Sequence, residues 1–308
     1  MTNATTDVAA TLNISRKQVR ALLDPYRVTQ GKGFKLKDHD PADTAGHILS
    51  KPQADVLLRT SVERLAALQE KLYAQDRWAM LCVLQALDGA GKDGTIKHVM
   101  SGVNPQGVQV TSFKAPGPES LAHDFLWRAV RALPARGHIG IFNRSHYEEV
   151  LVVRVHPEIL DRQHLPPELI GKKIWDHRLE AIASFEKFLA RQGTVVLKFF
   201  LNLSKQEQKH RFLERLEEPD KNWKFSSADL AERGYWDAYQ AAYQQAIAAT
   251  AAPHAPWFVV PADDKWFARL VVVAAMIEAL DGLDLKIPAM SAEEQAALQA
   301  ARRKLEAE

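Results

Sequence analysis

"WAMLCVLQALDGAGKDG", residues 78–94, changes character at Asp88. The run 78–87 is almost wholly apolar and does not alternate, which marks a strand covered on both faces. An acid, a glycine-rich turn, a lysine and a second acid follow: Asp88, Gly89, Ala90, Gly91, Lys92, Asp93 and Gly94. A phosphate-binding loop is written G-x-x-x-x-G-K-[ST] between a strand and a helix. Here Gly91 and Lys92 keep the G-K core, Ala86 stands at the first glycine and Asp93 at the Ser/Thr position. Small residues let the backbone curl so that successive N–H groups point at anionic oxygens. A helix opening at Lys92 adds its positive end, and Lys92 a mobile cation for a phosphoryl group. Asp88 and Asp93 repel phosphate unless a divalent cation lies between. They therefore point to Mg²⁺, or Mn²⁺ in its place, with Asp88 as the metal ligand. The plainer reading is a strand–turn–helix connection whose glycines serve geometry alone.

Working outward, strands and helices alternate. Further strands are read at 107–113, 138–143, 194–202 and 257–262, with helical patterns at about 93–101, 119–132, 172–191, 204–217, 227–249 and 263–281. Before the first strand, Leu58, Val62, Leu65, Leu68 and Leu72 keep helical spacing, and the helix should end near Asp76. Ser291 with Glu294 forms a capping box that opens a charged helix over 291–306. Such alternation predicts an α/β fold with right-handed crossovers: a parallel five-stranded sheet between helices. The expected divisions are an N-terminal extension (1–50), a catalytic domain (51–285) and a C-terminal helical tail (286–308).

Composition bounds the function. The chain has 308 residues, 46% of them hydrophobic, which suffices for a sizeable core. A formal charge of +2 provides no global field for nucleic acid. The single cysteine, Cys82, lies in an apolar run, which excludes a disulfide framework and a clustered thiolate metal site. No apolar stretch approaches the ~20 residues that span a bilayer, and no signal-peptide pattern opens the chain. The expectation is a cytoplasmic protein without membrane or nucleic-acid partners.

Ligands of parallel sheets bind beyond the carboxyl ends of the strands, so the residues there become candidates. Lys114 follows the second strand, and Asn143 and Arg144 follow the third. Arg144 is able to fork onto phosphate oxygens. Arg178 lies on the helical pattern 172–191. After the fourth strand come Lys205, Lys209, Arg211, Arg215, Lys221 and Lys224. Arg211 and Arg215 share a helix face, an unfavourable stacking of like charge unless an anion bridges them or Glu207 and Glu218 neutralise them. This segment, about 203–226, is expected to close over the loop as a helical lid and exclude water. His146 and His156 lack metal-ligand company and read as structural. Trp223, Trp236, Trp257 and Trp266 either stack on a nucleobase or pack the core and lid.

Five blocks, in order, resemble the polyphosphate kinase 2 family: "ALDGAGKDGTIKHV", "SFKAPGPESLAHDFLWR", "IGIFNRSHYEEVLVVRVHP", "FLNLSKQEQKHRFLERLEEPDKNWKFS" and "APWFVVPADDKWFARL". The resemblance implies a P-loop, thymidylate-kinase-like three-layer sandwich with a lid, and a homo-oligomer, dimer or tetramer. It implies reversible, Mg²⁺-dependent transfer of the terminal phosphoryl group of inorganic polyphosphate to nucleoside mono- or diphosphates. "FNRS" after the third strand is similar to the branch that phosphorylates both AMP and ADP. By position, Asp88 corresponds to the acid that binds metal and orients the acceptor, Lys92 to the loop lysine, and Arg144 to the arginine after the third strand. Lys114, Arg178, Arg211 and Arg215 correspond to basic positions on the phosphate path and lid. Many members carry aspartate where this chain has Asn143, and a neutral amide is a weaker Mg²⁺ ligand. Two other readings stay open: an ATP-dependent nucleotide or small-molecule kinase on the same fold, and a non-catalytic polyanion-binding module.

Overall fold

The computed structural model describes residues 16–47, 49–224 and 226–308. The side chains of Lys221 and Lys224, expected on the lid, lie outside the described residues, as do the first fifteen residues of the N-terminal extension. In chain order, α1 (Arg16–Leu23) and a two-residue strand β1 (Arg27–Val28) precede the long helix α2 (Lys51–Gln75). β2 (Ala79–Gln85) leads through the glycine-rich turn into α3 (Lys92–Val99). β3 (Val108–Ser112) is followed by two short helices, α4 (Pro118–Leu121) and α5 (Trp127–Arg131), and by β4 (Ile139–Asn143). The single turn α6 (Val152–Val155) and the helix α7 (Ile174–Arg191) lead to β5 (Thr194–Asn202). Then come α8 (Lys205–Glu217), α9 (Ser227–Glu232), α10 (Trp236–Thr250), β6 (Trp257–Pro261), α11 (Lys265–Asp281) and α12 (Ala292–Leu305).

The five strands read from the sequence form, mutually parallel, in the order β6-β5-β2-β4-β3. The sheet nevertheless has six strands and is mixed, which corrects the parallel five-stranded expectation. Arg27 and Val28 pair antiparallel with Phe258 and Trp257 on the outer edge of β6. Two residues are too few to show an alternating pattern, so this strand left no periodic signal. The arm it belongs to enters the core, since Val19, Leu23, Tyr26 and Val28 are all buried. Two helices read as continuous are broken. Asp124 accepts a bond from the Leu126 N–H at 2.9 Å before α5, and Gly234 lies in the turn between α9 and α10.

All seven residues of β2 are buried, as an unalternating apolar run requires. Met80, Cys82 and Leu84 join the core on one face, and Leu81 and Val83 the core on the other. The first core is filled by α11, which is apolar nearly all round and buries eleven residues. Against it pack Leu65, Leu68 and Leu72 of α2. The second core holds a polar cluster. Lys198 of β5 is wholly buried; its ammonium pairs with Glu186 and donates to the Thr250 carbonyl at 2.7 Å. His146, also buried, packs edge-on to Phe185, and neither ring nitrogen has a protein partner.

Register decides where the site forms. Leu84 lies level with Asn143 and with Phe199, Ser112 with Asn143, and Asn202 with Pro261. The parallel strands therefore end together, and the segments that follow them gather beyond one edge. Among the described residues, no helix is long and apolar enough to cross a membrane.

Candidate active site

Two glycines shape the turn after β2. Gly89 and Gly91 hold φ at +86° and +96°, values that glycine adopts at little cost. Gly91 stands immediately before α3, and its carbonyl accepts the Thr95 N–H at 2.9 Å. Lys92 is thus the first helical residue and Asp93 lies in the first turn. The Lys92 ammonium is buried and folds back to donate to the Ala86 carbonyl at 2.8 Å. Burial, reinforced by the Arg144 guanidinium, lowers its pKa, while Asp88, Glu148 and Asp93 oppose the shift.

At the tip of β4 the backbone turns left-handed, with Arg144 at φ +60° and its N–H donating to the Leu84 carbonyl at 3.0 Å. The turn is backed by Ser145, whose hydroxyl lies 2.9 Å from the Gln85 amide. It aims Arg144 across the loop. One guanidinium nitrogen donates to Asp88 at 2.6 Å and the other to Glu148 at 3.0 Å. Burial works against the Arg144 charge, yet Glu148 and Asp88 together hold its pKa above the ordinary value. The structure thereby joins Asp88, Lys92 and Arg144, three residues read separately from the sequence, and adds Glu148. The only sequence signal for Glu148 was an acid four residues beyond Arg144.

Two departures from the loop pattern prove to be neighbours. Asn143 donates its side-chain N–H to the Asp93 carboxylate at 2.6 Å. An aspartate at 143 would set two carboxylates in contact there; the amide turns repulsion into a hydrogen bond.

α8 packs on the loop. Gln208 donates to the Asp88 carbonyl at 2.8 Å. Arg211 is buried and donates to the carbonyls of Gly89 and Ala90, both at 3.1 Å, and to those of Ala262 and Asp263. Its Nε donates to Glu207 at 2.7 Å. Arg215 lies 3.5 Å from Asp229 of α9. Each of the two arginines therefore has its own protein partners. Asp229, Trp236 and Tyr239 line a cavity beside Asp88, Arg144 and Glu148. Burial, then the Asp88 charge, raises the Asp229 pKa. These lid-side residues were not among the sequence candidates, except Trp236, because no spacing rule links them to the loop. Trp257 is core, Trp266 packs edge-on to Phe267, and Trp223 is exposed.

Lys114 and Arg178 stand apart from this cluster. The Lys114 side chain is exposed, two residues past β3, and its carbonyl accepts from Arg128 at 2.7 Å. Arg178 is buried, bonded to Gln163 and to the carboxylate and carbonyl of Glu149 at 3.1 Å. It lines a second cavity with Phe125, Arg128 and Leu165. His156 pairs with Glu232 at 3.0 Å.

Asp88 and Asp93 are oxygen donors on either side of the loop turn. Among the described residues no cluster of three or more His, Cys, Asp or Glu forms a cage. That donor set fits a hard divalent cation held by one or two carboxylates, with water and phosphate oxygens completing its shell.

The polyphosphate kinase 2 (PPK2) profile matches residues 49–288. The chain is 52% identical over 264 residues to an ADP-polyphosphate phosphotransferase of Rhodopseudomonas palustris, covering 85% of this chain and 91% of that protein. It is 45% identical over 263 residues to an AMP/ADP-polyphosphate phosphotransferase of Meiothermus ruber, covering 85% and 94%. Its fold is similar to the crystal structure of polyphosphate kinase 2 from Arthrobacter aurescens, with a TM-score of 0.81 and 43% identity over 89% of this chain and 95% of that one.

Proposed function

Because this chain belongs to the polyphosphate kinase 2 family, we propose that its loop corner moves the terminal phosphoryl group of inorganic polyphosphate onto AMP, ADP or both. It is a polyphosphate-dependent nucleotide phosphotransferase. The observation that carries the site assignment is the convergence of Asp88, Lys92 and Arg144 at the tips of two adjacent parallel strands.

The reaction breaks one phosphoanhydride P–O bond and makes another, shortening polyphosphate by one unit, so it runs near balance and in both directions. The attacking oxygen belongs to a phosphate already ionised at neutral pH, so no general base is needed. What the protein must supply is alignment and charge. Free N–H groups of the loop and the α3 terminus receive the phosphate oxygens. Lys92, held out of water, supplies an ammonium strengthened by its low-dielectric surroundings. Arg144 turns from its carboxylates to the equatorial oxygens of the moving group. Asp88 and Asp93 would hold Mg²⁺, or Mn²⁺, which when bound offsets charge on the phosphate chain. Lys114 and Arg215 extend the basic track, and Arg178 serves the neighbouring cavity. The P-loop, thymidylate-kinase-like reading of the sheet, a homo-oligomeric state and a cytoplasmic location go with this proposal.

Incubating the purified protein with Mg²⁺, polyphosphate and AMP or ADP, then separating the nucleotides by chromatography, tests it. Polyphosphate-dependent formation of ADP and ATP is expected. ATP consumption without polyphosphate would favour a conventional kinase, and polyphosphate binding without turnover a binding module. Asp88→Asn and Lys92→Ala should each lower transfer by about 100-fold or more with folding intact. Near-normal turnover in either refutes the assignment.

A further inference from the structure

We propose that Arg211 is a positioning residue that holds the phosphate loop from behind and ties it to α8, without touching the phosphate chain. The inference rests on the phosphotransferase reading of the loop. A guanidinium has five N–H donors. Those of Arg211 meet the Glu207 carboxylate and the carbonyls of Gly89, Ala90, Ala262 and Asp263. That set leaves none for a ligand, and the side chain is only 4% exposed.

What it holds explains why it matters. In a trans peptide the C=O and the following N–H point to opposite sides. Fixing the Ala90 carbonyl on the guanidinium therefore aims the Gly91 N–H away from it, free to meet an anion on the other face. Fixing the Gly89 carbonyl does the same for the Ala90 N–H, which turns in to the Leu87 carbonyl at 3.3 Å. Both glycines lie at positive φ, where the chain has many alternatives to lose. One side chain thus selects the peptide orientations that make the turn an anion cradle. It also joins three segments: α8, the loop, and the turn after β6. Gln208, donating to the Asp88 carbonyl, makes a second tie from the same helix. The first two turns of α8 accordingly belong to the cradle.

A lysine at 211 keeps the charge but lacks the planar fork, which separates orientation from electrostatics. For Arg211→Lys, kcat should fall about 100-fold, the penalty of a small misalignment, with KM for polyphosphate within about threefold of wild type. Millimolar guanidinium should restore Arg211→Ala, and methylammonium should not. Amide hydrogen exchange of the peptide 84–94, without substrate, should accelerate in Arg211→Lys. Wild-type kcat in Arg211→Lys, or a large rise in KM for polyphosphate at unchanged kcat, overturns the proposal. Unchanged exchange overturns it whether or not the protein transfers phosphate. If Arg211→Ala does not fold, Arg211→Lys carries the test. Inactive wild-type protein with accelerated exchange in the variant would reject the transfer reaction and keep the role of Arg211 in the loop.

Discussion

Replacing Gly89 by alanine loads two separable costs on one atom. The first is conformational: a left-handed φ in a residue with a side chain costs about 1–2 kcal/mol, and Gly89 sits at +86°. The second is steric. A β-carbon there would lie 3.0 Å from the Phe212 ring and 3.3 Å from Gln208. Crowding of this kind costs roughly 1–3 kcal/mol, because Phe212 is buried between helix and loop. The sum is about 2–5 kcal/mol in the wild-type background. With Phe212→Leu the ring edge is gone, and the conformational part, about 1–2 kcal/mol, should remain together with the lesser contact to Gln208. Urea unfolding of the four proteins in the cycle measures both costs, provided the m-values agree. The coupling should exceed the ~0.5 kcal/mol within which independent sites add. Equal cost of Gly89→Ala in both backgrounds would refute the reasoning, showing that α8 does not press on the loop.

Two further outcomes concern the core behind the site. Burial, then Lys198, holds His146 neutral with its pKa lowered to about 3. Between pH 6.5 and 3 the unfolded chain therefore takes up a proton that the folded one refuses, and stability falls as pH falls, by about 1.4 kcal/mol per unit. Above pH 6.5 the group contributes nothing. His146→Phe should remove about 2 kcal/mol of acid destabilisation between pH 6.5 and 5; parallel stability curves for the two proteins would contradict this. Lys198→Met alone strands Glu186 and should cost about 3–5 kcal/mol, whereas Lys198→Met with Glu186→Leu should recover most of it. Calorimetric melting of the single and double variants decides, and additive losses would sink the idea.

The parallel strands and the loop were legible because each rests on a local pattern. An unbroken apolar run with Gly-Lys beyond it allows few geometries. Asp88, Lys92 and Arg144 were legible as candidates for the same reason, Arg144 following one strand and Asp88 and Lys92 lying in the turn after another. Glu148, Asp229 and Tyr239 were not, because nothing in their spacing says that the chain brings them to Asp88. The partners of Arg211 were hidden too: an arginine four residues from another reads as an anion site, and its spacing says nothing of the four carbonyls it meets. Asn143 and Asp93 read as separate departures from a pattern, and nothing in their spacing foretold the hydrogen bond between them.

The arm before α2 carries a practical consequence. The stretch matched by the family starts at residue 49, yet Tyr26 takes the Val259 N–H through its carbonyl at 2.8 Å. A fragment trimmed to that stretch would strip the flank of β6 and bare unpaired peptide groups to any neighbouring molecule. Where the family profile begins is thus not where this polypeptide can be cut: a truncation at that boundary would manufacture a sticky seam.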